Sequence, residues 1–129
     1  KKRDLGRMVD ALLLAGVTVA LIGLILFIQG EATITAEAGA RRLASVYGSP
    51  NNVGLFLGRC IPFALAWVLL APDNRRKLFS LAALVLMLIA VGLSQSAGAI
   101  FLGVPASIIA VLALALRRRA LPVNSVIGA

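Results

Sequence analysis

Three arginines around a polar turn are the residues of this chain best suited to chemistry. Arg41 and Arg42 precede the turn at residues 48–52, and Arg59 follows it inside a hydrophobic segment. An arginine near the middle of a membrane helix costs about 2.5–3.5 kcal/mol on insertion scales, and less near an interface. We therefore expect Arg59 to be offset by a partner within the protein or by an anionic ligand.

The composition is that of a membrane protein. Of the 129 residues, 60% are hydrophobic and 14% are charged, and the mean hydropathy is +1.00. Soluble domains are about 45–50% apolar and about 25% charged. The net charge of +8 comes from clusters at the ends of apolar segments, a pattern that favours a membrane surface over nucleic acid as the partner. With no histidine and one cysteine, the sequence predicts neither a metal site nor a cofactor, and Cys60 is interpreted as a small buried apolar residue.

Four segments are long and apolar enough to cross a bilayer. The sequence therefore predicts an all-α, polytopic transmembrane helical bundle that forms one membrane domain over residues 1–129. The predicted spans are residues 9–28, 53–71, 78–93 and 99–116. Ten lysines and arginines lie before the first span, between the second and third, and after the fourth. By the positive-inside rule both termini are cytoplasmic, and the loop at residues 29–52 faces outward.

The outward loop is predicted to contain a short interfacial helix over residues 35–46. Apolar residues recur there among polar ones, and Glu37 lies four residues before Arg41, a spacing that supports a helix. A turn follows, in which Asn51 or Asn52 caps the second span.

This arrangement predicts an anion site on the outward side. The start of the second span exposes free N–H groups, and its dipole favours anions. Arginine suits phosphate because its planar guanidinium donates two parallel hydrogen bonds. The side chains of Asn51, Asn52, Ser94, Gln95 and Ser96 are expected to line the same cavity.

Each of these residues could instead have a purely structural role. Arg41 and Arg42 are also compatible with contacts to lipid head groups or with ion pairs to Glu31 and Glu37. Arg59 is compatible with binding backbone carbonyls freed by Pro62. Residues 94–96 are compatible with a simple polar hairpin, and Asp10 is expected to pair with Arg7 or another cytoplasmic cation.

Two stretches of the sequence resemble the O-antigen ligase and O-antigen polymerase family of bacterial envelope enzymes. The first is Arg42-Leu-x-Ser-Val-Tyr-Gly-Ser-Pro-Asn-Asn-x-Gly-Leu-x-Leu-Gly-Arg59-x-x-Pro62, and the second is Leu-Ser-Gln-Ser-Ala-Gly-Ala-x-x-Leu-Gly at residues 93–103. The resemblance implies a multi-pass protein of the bacterial cytoplasmic membrane. It further implies that a glycan is transferred from a polyprenyl-diphosphate carrier at the outer face, with Arg41, Arg42 and Arg59 binding the diphosphate and no metal required.

The chain departs from the family pattern in two respects. Ala97 occupies a position that is commonly arginine in the family, and the chain has four spans and no histidine where ligases have about ten or more spans and a functional histidine. The resemblance therefore implies a central segment of a family member or a reduced relative. The alternative is a non-catalytic transmembrane subunit of a larger membrane complex. A small transporter is disfavoured because the spans carry few polar residues.

Overall fold

The computed structural model describes residues 1–31, 33–35 and 39–120, and these form a helical bundle with a small hairpin at one end. Helix α1 is Lys2–Gln29, α2 is Pro50–Leu70, α3 is Asn74–Ser94 and α4 is Val104–Ala120. A π-helical segment, Ala99–Gly103, leads into α4. Within the described ranges, four helical segments are long and apolar enough to cross a membrane, which agrees with the predicted spans.

The helices pack through surfaces of small residues. The buried residues of α1 recur at alternating spacings of three and four, which places them on one face: Gly6, Val9, Leu13, Gly16, Ala20 and Gly23. A β carbon at Gly16 would lie 2.7 Å from the sulfur of Met87 in α3 and 3.2 Å from Cys60 in α2. The three helices therefore meet closely at this level, as small residues permit in membrane bundles. Cys60 is fully buried, as its interpretation as an apolar residue requires.

The bundle has two chemically different ends. The basic end comprises the start of α1, the α2–α3 connection and the end of α4, and it carries ten lysines and arginines. The loop end comprises the hairpin, the start of α2 and the α3–α4 connection. At the basic end, Asp10 accepts a hydrogen bond from the Trp67 indole at 2.8 Å and lies 3.4 Å from the Arg76 guanidinium. The predicted pairing of Asp10 with a cation at this end is confirmed.

The interfacial helix predicted over residues 35–46 is wrong where the structure describes that stretch. Thr33–Thr35 forms strand β1 and Arg41–Leu43 forms strand β2, paired antiparallel so that Ile34 faces Arg42. β-Branched residues in β1 favour a strand, and Gly39 adopts φ 80°, which a right-handed helix does not accommodate. A 3₁₀ helix, Ser45–Tyr47, follows β2. Glu37, which supported the helix prediction, lies outside the described residues.

Two glycines one turn apart on α2 give a matched test of this packing. A β carbon at Gly54 would lie 2.5 Å from the β carbon of Ser96 and 3.1 Å from that of Ala99, whereas one at Gly58 would meet nothing within 4 Å. We expect Gly54→Ala to lower the free energy of unfolding by about 1–3 kcal/mol through overpacking. Gly58→Ala should instead raise it by up to about 1 kcal/mol, because alanine favours the helix. Equal effects in a denaturant titration of the two variants in micelles would contradict the close α2–Ser96 contact.

Candidate functional site at the loop end

Arg42 joins three elements at the loop end. Its Nε donates to the carbonyl of Ser94 at 3.0 Å, and its Nη2 donates to the carbonyl of Gln95 at 3.0 Å and to Oδ1 of Asn51 at 3.2 Å. The two carbonyls belong to the end of α3, and Asn51 lies in the first turn of α2. A cation at the carboxyl end of a helix is stabilised by the helix dipole. Arg42 therefore caps α3 and links it to α2.

Arg41 lies at the end of a different helix. Its guanidinium carbon is 5.0 Å from the centre of the Phe27 ring, a cation–π distance. A β carbon at Gly30, the left-handed residue that ends α1, would lie 3.2 Å from Nη1 of Arg41. Consecutive residues of a strand point to opposite faces, so adjacent arginines of β2 reach different helices.

The α3–α4 connection is tightly packed. The Ser94 hydroxyl donates to the carbonyl of Val91 at 2.7 Å and accepts a bond from the Ser96 backbone amide at 3.4 Å. Both serines are buried, and Gln95 adopts φ 49° as the left-handed cap of α3. Ser94 and Ser96 therefore shape the turn. Gln95 is exposed, as are Asn51 and Asn52, so these three amide side chains remain accessible at the loop end.

Arg59 is placed apart from the other two arginines. It is exposed and lies on the face of α2 opposite the buried residues Val53, Leu57 and Cys60. Among the residues that the structure describes, it has no hydrogen bond or salt bridge. The described residues therefore show no hydrogen bond from Arg59 to the carbonyls freed by Pro62, which was the structural alternative for this residue.

Apolar residues flank Arg59 along the same helix face. Leu55 and Phe63 lie one turn before and one turn after it, and they are 56% and 44% exposed. Arg59 is nine residues beyond Pro50, which places its α carbon about 13 Å along α2 at 1.5 Å per residue. Its β carbon tilts toward the start of the helix, so the guanidinium is directed to the loop end. The result is a single exposed cation between apolar side chains on this face of α2.

The structure thus brings together some predicted site residues and separates others. Arg42, Asn51 and the backbone of Ser94 and Gln95 form one hydrogen-bonded group. Arg41 lies over the end of α1, and Arg59 lies on the face of α2 that points away from the core of the bundle. Sequence reasoning missed Phe27 as the partner of Arg41 and Ser45 as an anchor, whose hydroxyl donates to the carbonyl of Val19 at 2.8 Å. Nothing in the sequence indicates that Ser45 is buried with a φ of 49°.

Removal of the Arg42 side chain should weaken the fold itself. Arg42→Ala leaves two carbonyls of the α3 end and the Asn51 amide without their donor. We expect a loss of about 1.5–3 kcal/mol in the free energy of unfolding, the range for hydrogen bonds to charged groups. Hydrogen exchange in the first turn of α2 should also become faster.

Asn52→Ala is the matched control, because Asn52 neighbours Asn51 and has no side-chain hydrogen bond among the described residues. It should change stability by less than about 0.5 kcal/mol. An Arg42→Ala variant as stable as Asn52→Ala would show that the cap contributes nothing.

No protein-family model, curated protein or solved structure matches this chain.

Proposed function

We propose that this chain is a membrane-embedded binding domain of the O-antigen ligase and polymerase type. In this proposal it holds the diphosphate of a polyprenyl-linked glycan at the loop end, from which the glycan is transferred to an acceptor. The chain lies in the bacterial cytoplasmic membrane with both termini cytoplasmic, so the loop end faces outward. The ten cations of the basic end support that orientation.

Arg59 is the observation that carries this proposal. A cation exposed on the apolar face of a membrane helix is costly unless something neutralises it. No described residue does so, and the apolar neighbours Leu55 and Phe63 leave room for a hydrocarbon chain beside it. A polyprenyl diphosphate meets both requirements, because its prenyl chain lies in the bilayer and its diphosphate is anionic.

The three arginines have different roles in this proposal. Arg59 is the primary ligand of the diphosphate. Arg42 is a positioning residue, since its Nε and Nη2 already bind the protein and only Nη1 remains for a ligand. Arg41 adds positive charge at the end of α1. Negative charge grows on the diphosphate as the glycosidic bond breaks, so a fixed cation would stabilise the transition state more than the ground state.

A second candidate is a non-catalytic transmembrane subunit of a larger complex. The same exposed Arg59 supports it, because a carboxylate on a neighbouring subunit's helix would also neutralise the charge. Ala97, which lies where the resembling family commonly has arginine, favours this candidate.

Binding measurements on the purified chain test the first candidate. In phosphatidylcholine nanodiscs we expect Arg59→Ala to weaken binding of polyprenyl diphosphate by about tenfold or more, because charge-assisted hydrogen bonds contribute about 1.5–3 kcal/mol. Arg59→Lys should retain part of the affinity, since lysine supplies the charge without the planar fork. In an intact transferase containing this segment, Arg59→Ala should lower the glycan transfer rate by about 10²–10³-fold while membrane insertion is unchanged.

Two controls make the result specific. Polyprenol, which lacks the diphosphate, should bind the wild type and Arg59→Ala equally. Arg117→Ala removes one cation at the basic end and should leave diphosphate binding unchanged. If Arg59→Ala binds polyprenyl diphosphate as well as the wild type does but no longer copurifies with a stoichiometric membrane partner, the subunit candidate replaces the transferase candidate.

A further inference from the structure

A cavity lies at the basic end, away from every residue of the loop-end site. It has a volume of about 310 Å³ and opens between the ends of α2 and α4. Its walls are Leu69, Leu70, Leu112, Ala115 and Leu116, and two arginines complete the lining: Arg118 and Arg119. An apolar chamber with cations at one side is amphipathic, and its occupant should be amphipathic too.

The charge around this cavity is strongly one-sided. The basic end carries ten lysines and arginines against three carboxylates, those of Asp4, Asp10 and Asp73. Asp4 pairs with the chain's amino group and Asp10 with Arg76. Among the described residues, neither Arg118 nor Arg119 has a salt bridge. Within the described ranges, the two arginines of the cavity are thus open to an anionic ligand.

The shape and lining favour a lipid over a free anion. A small hydrated anion gains nothing from five apolar wall residues, whereas an acyl chain buries surface against them. The volume is at the lower limit of small-molecule sites, about 300–1,000 Å³, so the cavity holds one part of a larger molecule. Arginines at the end of a membrane helix lie at head-group level, where a phospholipid phosphate is also found.

We propose that this cavity binds an anionic phospholipid, with its phosphate on Arg118 and Arg119 and part of an acyl chain between α2 and α4. The site does not involve the loop-end arginines, so its test is independent of the proposed function. The bound lipid would fill the gap between α2 and α4 at the end of the bundle where the two helices leave a cavity.

Native mass spectrometry of the full chain tests the site. The protein is extracted from nanodiscs of phosphatidylcholine that contain phosphatidylglycerol, and the retained lipid is identified by mass. We expect the wild type to retain phosphatidylglycerol in preference to phosphatidylcholine. The double variant Arg118→Gln/Arg119→Gln should lower the phosphatidylglycerol-bound fraction by about tenfold. Ala115→Trp, which fills the chamber and keeps both charges, should lower it similarly.

The matched control is Arg3→Gln/Arg7→Gln, which removes the same charge at the same end from residues that do not line the cavity. It should retain the wild-type amount of phosphatidylglycerol. An equal loss in this control would show diffuse attraction to the basic end and overturn the site, as would undiminished retention by Ala115→Trp. Binding of inorganic phosphate as tight as that of phosphatidylglycerol would also overturn it, because the acyl chain would then contribute nothing to binding. Helical circular dichroism of each variant verifies that the bundle is intact.

Discussion

The last carbonyls of a helix have no partner within that helix, and their partial negative charge favours a cation nearby. Helices α1 and α3 both end at the loop end, and neither has a basic residue in its last turn. Adjacent residues of β2 supply the missing cations, with Arg41 lying over the end of α1 and Arg42 donating to the end of α3. Because Arg42 also donates to Asn51, this contact ties the first turn of α2 to the end of α3. The face of α2 on which Arg59 lies is set separately, by the packing of α2 against α1, α3 and α4.

This arrangement requires the hairpin to lie very close to the helices. Gly23 of α1 provides the room, since a β carbon there would be 2.8 Å from Leu43 and 2.9 Å from the β carbon of Ser45. Ser45 then reaches the carbonyl of Val19, and its positive φ turns the chain toward α2. A positive φ is unfavourable for a residue with a side chain, and burial of Ser45 together with its hydrogen bond offsets that cost. The small-residue face of α1 thus serves both helix packing and hairpin docking.

Much of the bundle could be predicted from the sequence, because span length and hydropathy are properties of local segments. The pairing of Asp10 with a cation also followed from the sequence, since a carboxylate near the basic end has many partners within reach. The hairpin could not be predicted in the same way. The spacing of Glu37 and Arg41 indicated a helix, but the tertiary contacts of Arg41 and Arg42 and the left-handed Gly39 favoured strands. The sequence predicted that the three arginines share one site. In the structure Arg59 lies apart from Arg41 and Arg42, because packing against α1, α3 and α4 decides which face of α2 is buried.

Arginine has three different environments in this molecule, and the direction of each helix explains them. At the loop end of α1 and α3, helix ends are electronegative and attract Arg41 and Arg42 into structural contacts. At the basic end, α4 terminates in three arginines that stabilise its own carboxyl end. Arg59 lies in a helix that begins at the loop end, so its side chain tilts back toward the loop end and not toward the basic end. The same residue in α3, which runs the other way, would tilt toward the basic end. The direction of α2 therefore lowers the cost of an exposed cation about 13 Å from the helix start without neutralising its charge, and it directs that cation to the end where Arg42 links α3 to α2.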